Sequence, residues 1–284
     1  MRSLLFVPGD SERKFARAVQ GGADVLILDL EDSVAQSGKA LAREATLRML
    51  RSGPRPQQWF VRINALDTGM SLADLAAVMP GAPDGIVLPK CSGAAQVRQL
   101  AHYLDAMEAA HGSRAGQTRI IGIATESAAS IFALGEYAGC SERLCGLMWG
   151  AEDLAASLGA TQNREGGAYL GSFRLARELC LMAAAAAGVT AIDSVFVDIT
   201  DLNGLRREAL EGRRDGFSAK AAIHPNHVDT INDAFAPTEA DLAWARAVVA
   251  AFAAAPEAGV VKLDGQMVDK PHLARANRIL ASAG

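Results

Sequence analysis

The stretch Asp24–Asp32 has the sequence DVLILDLED, in which a run of apolar residues leads into Asp29, Glu31 and Asp32. A short run that is apolar at successive positions is typical of a parallel strand buried on both faces. In a barrel of parallel strands the active site lies at the C-terminal ends of the strands. The stretch therefore predicts a buried strand that delivers carboxylates to one end of a parallel sheet.

Seven further runs along the chain share this short, Val-, Ile- and Leu-rich character. We predict eight strands, at Ser3–Val7, Asp24–Leu30, Trp59–Ile63, Gly85–Leu88, Arg119–Thr125, Leu144–Trp149, Ser194–Asp198 and Ala219–Ile223. Helix-like segments alternate with them, at Ser11–Gln20, Lys39–Arg51, Ser71–Met79, Ala94–His111, Ser127–Tyr137, Gly167–Ala187, Leu202–Leu210 and Pro225–Ala234. Eight such units over about 230 residues predict an α/β fold, a (β/α)8 TIM barrel. The alternative, a doubly wound open sheet, would usually carry a glycine-rich fingerprint after its first strand, and LLFVPGDSER has none.

The chain after the eighth unit has a different pattern. Pro237–Ala255 predicts an Ala-rich helix, Gly259–Asp264 a strand-like run ending in a turn at Gly265, and Pro271–Ala281 a last helix. We assign residues 1–235 to the barrel and 236–284 to a C-terminal helical extension. This extension either caps its own barrel or packs on a neighbouring subunit, and we expect the second.

Composition excludes several classes of protein. With 50% hydrophobic and 21% charged residues, the chain is too apolar to be disordered. A net charge of -4 with scattered Lys and Arg argues against a nucleic-acid partner. No apolar run reaches the roughly 18 residues of a membrane span, so we expect no membrane partner. The four cysteines lack CxxC spacing, which predicts reduced thiols in a cytoplasmic protein.

Polar residues follow nearly every predicted strand. They are Asp29, Glu31, Asp32, Arg62, Asn64, Lys90, Thr125, Glu126, Glu152, Asp153, Asp198, Asp201 and His224. Several carboxylates that converge on one end of a barrel are costly unless a cation offsets their charge. A hard divalent ion is the simplest such cation, and Mg²⁺ typically takes one or two carboxylates. The absence of HxxxH and HExxH argues against zinc.

Each of these residues also has a structural explanation. Asp32 and Glu152 could have no role beyond capping the helices that follow them. Arg62 and Lys90 could pair with neighbouring carboxylates. His224 precedes a proline and could act as a base or shape a turn, and we favour the turn. The occurrence of such polar residues at the ends of strands two to six together favours a functional site.

The motifs at the strand ends resemble those of a known family. In chain order they are RSLLFVPGDSERKFARA, DVLILDLEDSV, WFVRIN, GIVLPKC, ATES, GLMWGAEDLAASLG, AIDSVFVD, GFSAKAAIHPNHV and DGQMVDKP. From Arg2 to about Ala281 the chain resembles the citrate lyase beta-subunit-like branch of the HpcH/HpaI aldolase superfamily. The resemblance implies a TIM barrel, usually a homotrimer, that binds Mg²⁺ and breaks or forms a C–C bond beside a thioester.

The resemblance also implies roles for particular residues. Glu126 and Asp153 fall on the metal ligands, which places Glu126 among the catalytic and substrate-binding residues as well. Arg62 falls on the arginine that binds the carboxylate of a 2-oxo acid, and a planar two-donor guanidinium suits that task better than an ammonium. Asp269 falls on an acid that, in relatives, reaches the active site of the adjacent subunit and is placed to protonate the thioester enolate.

A thioester of coenzyme A carries phosphates and needs local cations. Arg13, Lys14 and Arg17 lie on the predicted helix after the first strand, at positions i, i+1 and i+4. A basic helix at the mouth of an acidic barrel fits a phosphate-bearing ligand. A merely solvated helix face explains the same residues equally well. We count Arg13 and Lys14 as candidate substrate-binding residues.

The function that these expectations support is a Mg²⁺-dependent carbon–carbon lyase. It would cleave a 3-hydroxyacyl-CoA thioester, of the citramalyl-CoA or malyl-CoA type, into acetyl-CoA and a 2-oxo acid. The alternatives are a citrate lyase beta subunit acting on a carrier-bound citryl thioester, and a malyl-CoA thioesterase. A non-catalytic protein that keeps the barrel is a further alternative, against which the intact Arg62, Glu126 and Asp153 argue.

Overall fold

Short apolar runs form eight parallel strands that close into a barrel in this computed structural model, which describes residues 1–282. The barrel strands are β1 (Ser3–Pro8), β2 (Val25–Asp29), β3 (Gln58–Arg62), β4 (Gly85–Leu88), β5 (Arg119–Ile123), β6 (Leu144–Met148), β9 (Thr190–Asp193) and β10 (Ala219–Ala222). Two short strands outside the barrel, β7 (Arg164–Glu165) and β8 (Ala168–Tyr169), lie between β6 and β9 in the chain. The order around the barrel is β1-β10-β9-β6-β5-β4-β3-β2, and β1 pairs with β10 to close the ring. The predicted TIM barrel is confirmed.

Side chains at alternate strand positions fill the barrel. Val25 and Ile27 of β2, and Ala219 and Ala221 of β10, belong to one buried apolar cluster. Phe60 of β3 belongs to the same cluster. The intervening positions are also buried, because helices cover the outer face, which explains why the strands are continuous apolar runs in the sequence.

Helices follow the strands as expected. They are α1 (Glu12–Val19), α2 (Lys39–Leu50), α3 (Ser71–Val78), α4 (Ala94–His111), α5 (Ala128–Ile131), α6 (Glu152–Leu158), α7 (Gly171–Ala187), α8 (Leu202–Asp215) and α9 (His227–Phe235). Short 3₁₀ turns lie at Gln36–Gly38, Leu66–Thr68, Met79–Gly81 and Leu134–Glu136. The side chain of Ser11 caps α1 by accepting the N–H of Lys14 at 3.4 Å, as the sequence predicts.

The predicted seventh strand is wrong. Ser194–Asp198 lies beyond the strand, which spans Thr190–Asp193. The reason is a charge buried within β9. The carboxylate of Asp193 is fully buried and is held by Lys220 at 3.2 Å and by the indole N–H of Trp149 at 2.6 Å. An apolar pattern does not reveal a strand that buries a neutralised carboxylate, whereas the apolar segment after it is partly exposed.

The region between β6 and β9 differs in detail from the prediction. Neither helix α6 nor the antiparallel hairpin of β7 and β8 is among the predicted elements. Gly166 and Gly167 form the turn of this hairpin at φ values of 57° and 85°, in the left-handed region that favours glycine. The predicted helix Gly167–Ala187 therefore begins only at Gly171. Helix α5 is likewise shorter than Ser127–Tyr137.

The chain forms two compact units, Met1–Ala234 and a second that begins at Phe235. The second unit contains α10 (Glu239–Ala254), an antiparallel hairpin of β11 (Val260–Leu263) and β12 (Gln266–Asp269), and α11 (Lys270–Ala281). Its two helices pack against each other over a small apolar core. That core contains Ala245, Val248, Phe252, Val268 and Ala276.

Two sequence expectations concern the chain as a whole. None of the helices within residues 1–282 combines the length and apolarity needed to cross a bilayer. The four cysteines, Cys91, Cys140, Cys145 and Cys180, are free thiols.

Candidate active site

Arg62, the last residue of β3, is held by two carboxylates from the end of β2. Its Nε and Nη2 donate to the two carboxylate oxygens of Asp29, both at 2.7 Å, and its Nη1 lies 3.0 Å from Oε2 of Glu31. Strand pairing sets Asp29 opposite Arg62. Burial raises the pKa of Asp29, but the Arg62 guanidinium outweighs burial and holds that pKa below its usual range.

Lys90 follows β4 and crosses the mouth of the barrel to several carboxylates. Its Nζ lies 2.5 Å from Oε1 of Glu31, 3.3 Å from Oδ1 of Asp153 and 3.4 Å from Oδ2 of Asp32. Its backbone has a φ of 50°, a left-handed conformation that is uncommon for a residue with a side chain. Such strain persists only where the surroundings determine it, and it concentrates at functional sites.

Glu126 follows β5 and is 6% exposed. One of its oxygens accepts the backbone N–H of Lys90 at 2.5 Å. Gly150, after β6, packs against the side chain, since a Cβ at this position would stand 2.8 Å from Cγ of Glu126. The N–H of Gly150 donates in turn to the hydroxyl of Thr125 at 3.0 Å. The Glu126 carboxylate is therefore fixed from two neighbouring strands.

The mouth of the barrel carries more carboxylates than cations. Burial, together with the like charges of Asp153 and Glu31, raises the pKa of Glu126 to about 8, against the opposing effects of the Lys90 N–H and ammonium. Burial also raises the pKa of Glu31, despite the nearby Arg62 and Lys90. The two cations, Arg62 and Lys90, face five carboxylates in this cluster: Asp29, Glu31, Asp32, Glu126 and Asp153.

The oxygen-only donors of this cluster suit a hard divalent cation. Glu126 is buried, and Asp153 is half-buried in the first turn of α6, so both carboxylates face the same charged mouth. Within residues 1–282 no group of three or more His, Cys, Asp or Glu side chains is arranged to hold a metal ion. Two carboxylates are the usual protein contribution to a Mg²⁺ site, which keeps its other positions for water and substrate.

Other residues at the predicted strand ends have structural contacts. Glu152 accepts the side-chain amide of Asn163 at 2.8 Å. His224 accepts the backbone N–H of Asn226 at 3.2 Å, which is the turn that its position before a proline favours. Asp201 caps α8 through the N–H of Gly204, and Asp198 accepts the N–H and hydroxyl of Thr200 in the exposed loop after β9. Asp198, Asp201 and His224 therefore shape turns and a helix end, whereas Glu152 lies in the first turn of α6 without capping it.

Arg13 and Lys14 are exposed in the first turn of α1, directly after β1. A helix that follows a barrel strand begins at the end of the barrel where the strands end, so α1 begins at the same end as Arg62 and Glu126. Asp269 lies in the second unit as the N-cap of α11. Its carboxylate contacts Nδ1 of His272 at 2.5 Å, and this contact lowers the pKa of Asp269. This is the capping role that the helical Pro271 suggests, and it leaves the carboxylate 46% exposed.

Sequence reasoning alone assigns no part in the site to Gly150 and no specific one to Lys90. The sequence marks Lys90 only as a polar residue after a strand, because a left-handed backbone at a lysine has no sequence signal. Gly150 stands directly before an alanine and two acidic residues in WGAED. A glycine beside acidic residues at a strand end is a usable signal for close backbone approach.

The fold and its mouth define a class of protein: a (β/α)8 barrel whose active-site end holds an excess of carboxylates suited to a hard cation. Within that class, the chain belongs to the family described as HpcH/HpaI aldolase/citrate lyase, which matches residues 2–225. The resemblance seen in the sequence motifs is thereby confirmed.

Curated relatives match almost the whole chain. A citrate lyase subunit beta-like protein of Mycobacterium tuberculosis is 39% identical, with 99% of this chain and 94% of the relative covered. The citrate lyase subunit beta of Escherichia coli is 38% identical, covering 99% and 93%. A (3S)-malyl-CoA thioesterase of Cereibacter sphaeroides is 34% identical, covering 99% and 94%. The family thus includes lyase subunits and thioesterases.

A solved structure shares the fold over the full length. The protein CitE of Mycobacterium tuberculosis, in complex with magnesium, acetoacetate and coenzyme A, aligns with a TM-score of 0.79 and 37% identity. The alignment covers 100% of this chain and 98% of that one. That relative therefore binds magnesium, acetoacetate and coenzyme A on the same fold.

The carboxylate excess predicts a pH-dependent gain in stability for Glu126→Gln in chelator-treated protein. The pKa of a glutamate in the unfolded chain is about 4.3, whereas the pKa of Glu126 in the fold is raised to about 8. The contribution of Glu126 to the free energy of unfolding is therefore fully present below the pKa of the unfolded glutamate, and it is lost as the pH rises through 8. The glutamine of the variant stays neutral at every pH, and its side-chain oxygen can still accept the N–H of Lys90.

Thermal and urea unfolding at pH 6 and pH 9 measure the effect. We expect the stability of Glu126→Gln relative to the unmodified protein to rise by about 2 kcal/mol between the two pH values. Glu44→Gln, at an exposed carboxylate on α2, serves as the control and should show no such rise. A constant difference for Glu126→Gln at both pH values would contradict the charge excess.

Proposed function

We propose that this protein is a Mg²⁺-dependent lyase that cleaves a 3-hydroxyacyl-CoA thioester into acetyl-CoA and a 2-oxo acid. The substrate is of the citramalyl-CoA or malyl-CoA type. The observation that carries the proposal is the mouth of the barrel, where a surplus of carboxylates surrounds a fixed arginine. This arrangement can bind a cation and an anionic substrate side by side.

Glu126 and Asp153 are the residues that would hold the metal. The fit rests on the donor set of this chain: two carboxylates in a cluster where carboxylates outnumber cations, with the pKa of Glu126 raised to about 8 by burial and by the like charges of its neighbours. A bound Mg²⁺ would polarise the oxygen at the carbon–carbon bond that breaks. The solved relative with magnesium on the same fold supports this assignment.

Arg62 binds the carboxylate of the 2-oxo acid in this proposal. A guanidinium has five N–H donors, and Asp29 accepts one from Nε and one from Nη2. Nη1 lies 3.0 Å from Oε2 of Glu31 as an ion pair without a hydrogen bond. N–H groups on both terminal nitrogens are therefore left for a ligand carboxylate, in a plane that Asp29 fixes. Arg62 is held in place before substrate arrives, which lowers the entropic cost of binding.

The reaction needs one proton donor besides these groups. When the C–C bond breaks, the 3-hydroxyl passes its proton to a carboxylate at the mouth of the barrel and becomes the carbonyl of the oxo acid, and the thioester fragment leaves as an enolate. A proton must then reach the enolate carbon. We assign this proton to Asp269 of a neighbouring subunit in a homotrimer, with the C-terminal unit as the arm that carries it.

The thioester carrier is coenzyme A in this proposal. Arg13 and Lys14 are exposed at the start of α1, where a phosphate meets both side-chain cations and the N-terminal end of a helix.

The free thiols support a cytoplasmic location, where thiols stay reduced.

Two related activities are supported by the names of relatives. The similarity to citrate lyase subunit beta favours a citryl thioester and an oxaloacetate product, with a carrier protein in place of free coenzyme A. The similarity to (3S)-malyl-CoA thioesterase favours hydrolysis of malyl-CoA. In this proposal all three activities use the metal and the carboxylate-binding arginine, and they differ in substrate and in the bond that breaks.

One assay panel tests the proposed activity. Purified protein with Mg²⁺ is given citramalyl-CoA, malyl-CoA and citryl-CoA in turn, and products are separated by mass spectrometry. We expect acetyl-CoA together with pyruvate or glyoxylate from one of the first two substrates, and no product in excess chelator. Malate with free coenzyme A would identify a thioesterase instead. Turnover of citryl-CoA alone would identify citrate lyase chemistry.

Arg62→Lys tests the proposed carboxylate contact. Lysine keeps the charge but loses the paired donors, so we expect kcat/KM for cleavage to fall by about 100-fold or more. The variant Arg48→Lys on α2, at an exposed ion pair, provides the matched control and should keep full activity. An unchanged kcat/KM for a folded Arg62→Lys protein would make Arg62 purely structural.

Subunit mixing tests the role of Asp269. Asp269→Asn and Glu126→Gln chains, each expected to be inactive, are mixed and allowed to exchange subunits. If Asp269 acts across an interface, some mixed sites contain both Asp269 and Glu126 and activity partly returns. Mixed oligomers that form but remain inactive would show that Asp269 serves only its own chain, for example as the cap of α11.

A further inference from the structure

Lys90 occupies the position where the proposed metal ligands meet. Its Nζ lies 3.3 Å from Oδ1 of Asp153, the second proposed ligand, and 2.5 Å from Oε1 of Glu31. The same residue donates its backbone N–H to Glu126, the first proposed ligand. One residue thus contacts both proposed ligands, one through its ammonium and one through its main chain.

The backbone of Lys90 makes this double contact specific. A φ of 50° turns the amide toward Glu126 and lets the side chain pass across the mouth toward the carboxylates after β2 and β6. The side chain is 36% exposed, so the ammonium retains room to move. Lysine has a flexible four-carbon stem and a compact charge, and it can therefore leave one carboxylate while remaining near another.

We propose that the Lys90 ammonium is a built-in competitor for the cation site, which neutralises Asp153 in the metal-free protein and must leave it when a divalent ion binds. This inference rests on the proposed function, since it takes Glu126 and Asp153 as the metal ligands. The ammonium and the metal require the same carboxylate of Asp153. Glu31 and Asp32 lie within reach to receive the displaced ammonium.

The consequence is that Lys90 lowers the affinity of the substrate-free protein for Mg²⁺. The carboxylates alone would bind a divalent ion more tightly, because the ammonium would no longer offset their charge on that side of the mouth. An oxo acid that supplies further oxygen ligands would restore the affinity. Lys90 therefore sets how far metal binding depends on substrate.

Isothermal titration of the full chain with MgCl₂, without substrate and at constant ionic strength, tests the inference. We expect Lys90→Met to bind Mg²⁺ on the order of tenfold more tightly than the unmodified protein, since it loses one ammonium–carboxylate competitor. Lys90→Gly keeps the N–H to Glu126 and suits the left-handed backbone, so it should bind more tightly as well. Lys262→Met removes one positive charge in the second unit and should leave the affinity unchanged.

The outcomes separate this inference from the proposed function. If the unmodified protein binds Mg²⁺ and the folded Lys90→Met or Lys90→Gly variant binds it no more tightly, the competitor role of Lys90 is overturned. The proposed metal site is then unaffected. No Mg²⁺ binding by any of the proteins overturns both. Binding by the two Lys90 variants but not by the unmodified protein supports both. Circular dichroism and a melting curve establish that each variant is folded before titration.

Discussion

The imbalance of charge at the mouth of the barrel is the constraint on which the rest of the site depends. Five carboxylates face two cations, and burial keeps three of those carboxylates, Asp29, Glu31 and Glu126, away from water. Each contact reduces the cost of that imbalance: a guanidinium neutralises Asp29, an ammonium contacts Glu31, and Glu126 receives a backbone N–H. The carboxylates still outnumber the cations, and the proposed cation would offset this excess at Glu126 and Asp153.

The barrel fold determines where these charged side chains lie. Because parallel strands end on one face, residues far apart in sequence, such as Asp32 and Asp153, share one neighbour in Lys90. Backbone features hold the side chains in place: the left-handed turn at Lys90 and the close approach of Gly150 to Glu126. The family uses the same architecture for lyase subunits and thioesterases.

The fold and most of the candidate site were readable from the sequence for a physical reason. Buried parallel strands need continuous apolar runs, and an active site at the ends of barrel strands needs polar groups where those runs stop. The motifs DLED, VRIN and ATES therefore predict both the strand ends and the candidate site residues. The sequence pattern did not predict strand β9 at Thr190–Asp193, because its Asp193 is buried and neutralised by Lys220. This contact is long-range, and no local pattern of residues contains it. The sequence marks Lys90 as a strand-end residue that could pair with carboxylates, but it does not predict the backbone angle of Lys90 or its partners after three other strands.

A crystal of the protein soaked with Mn²⁺ and pyruvate would locate the proposed cation, because Mn²⁺ scatters anomalously and takes the same oxygen ligands as Mg²⁺. We expect one strong anomalous peak about 2.1 Å from carboxylate oxygens of both Glu126 and Asp153, with pyruvate between the ion and Arg62. An anomalous peak elsewhere, or none at the mouth while Lys90 remains on Asp153, would contradict the proposed cation site.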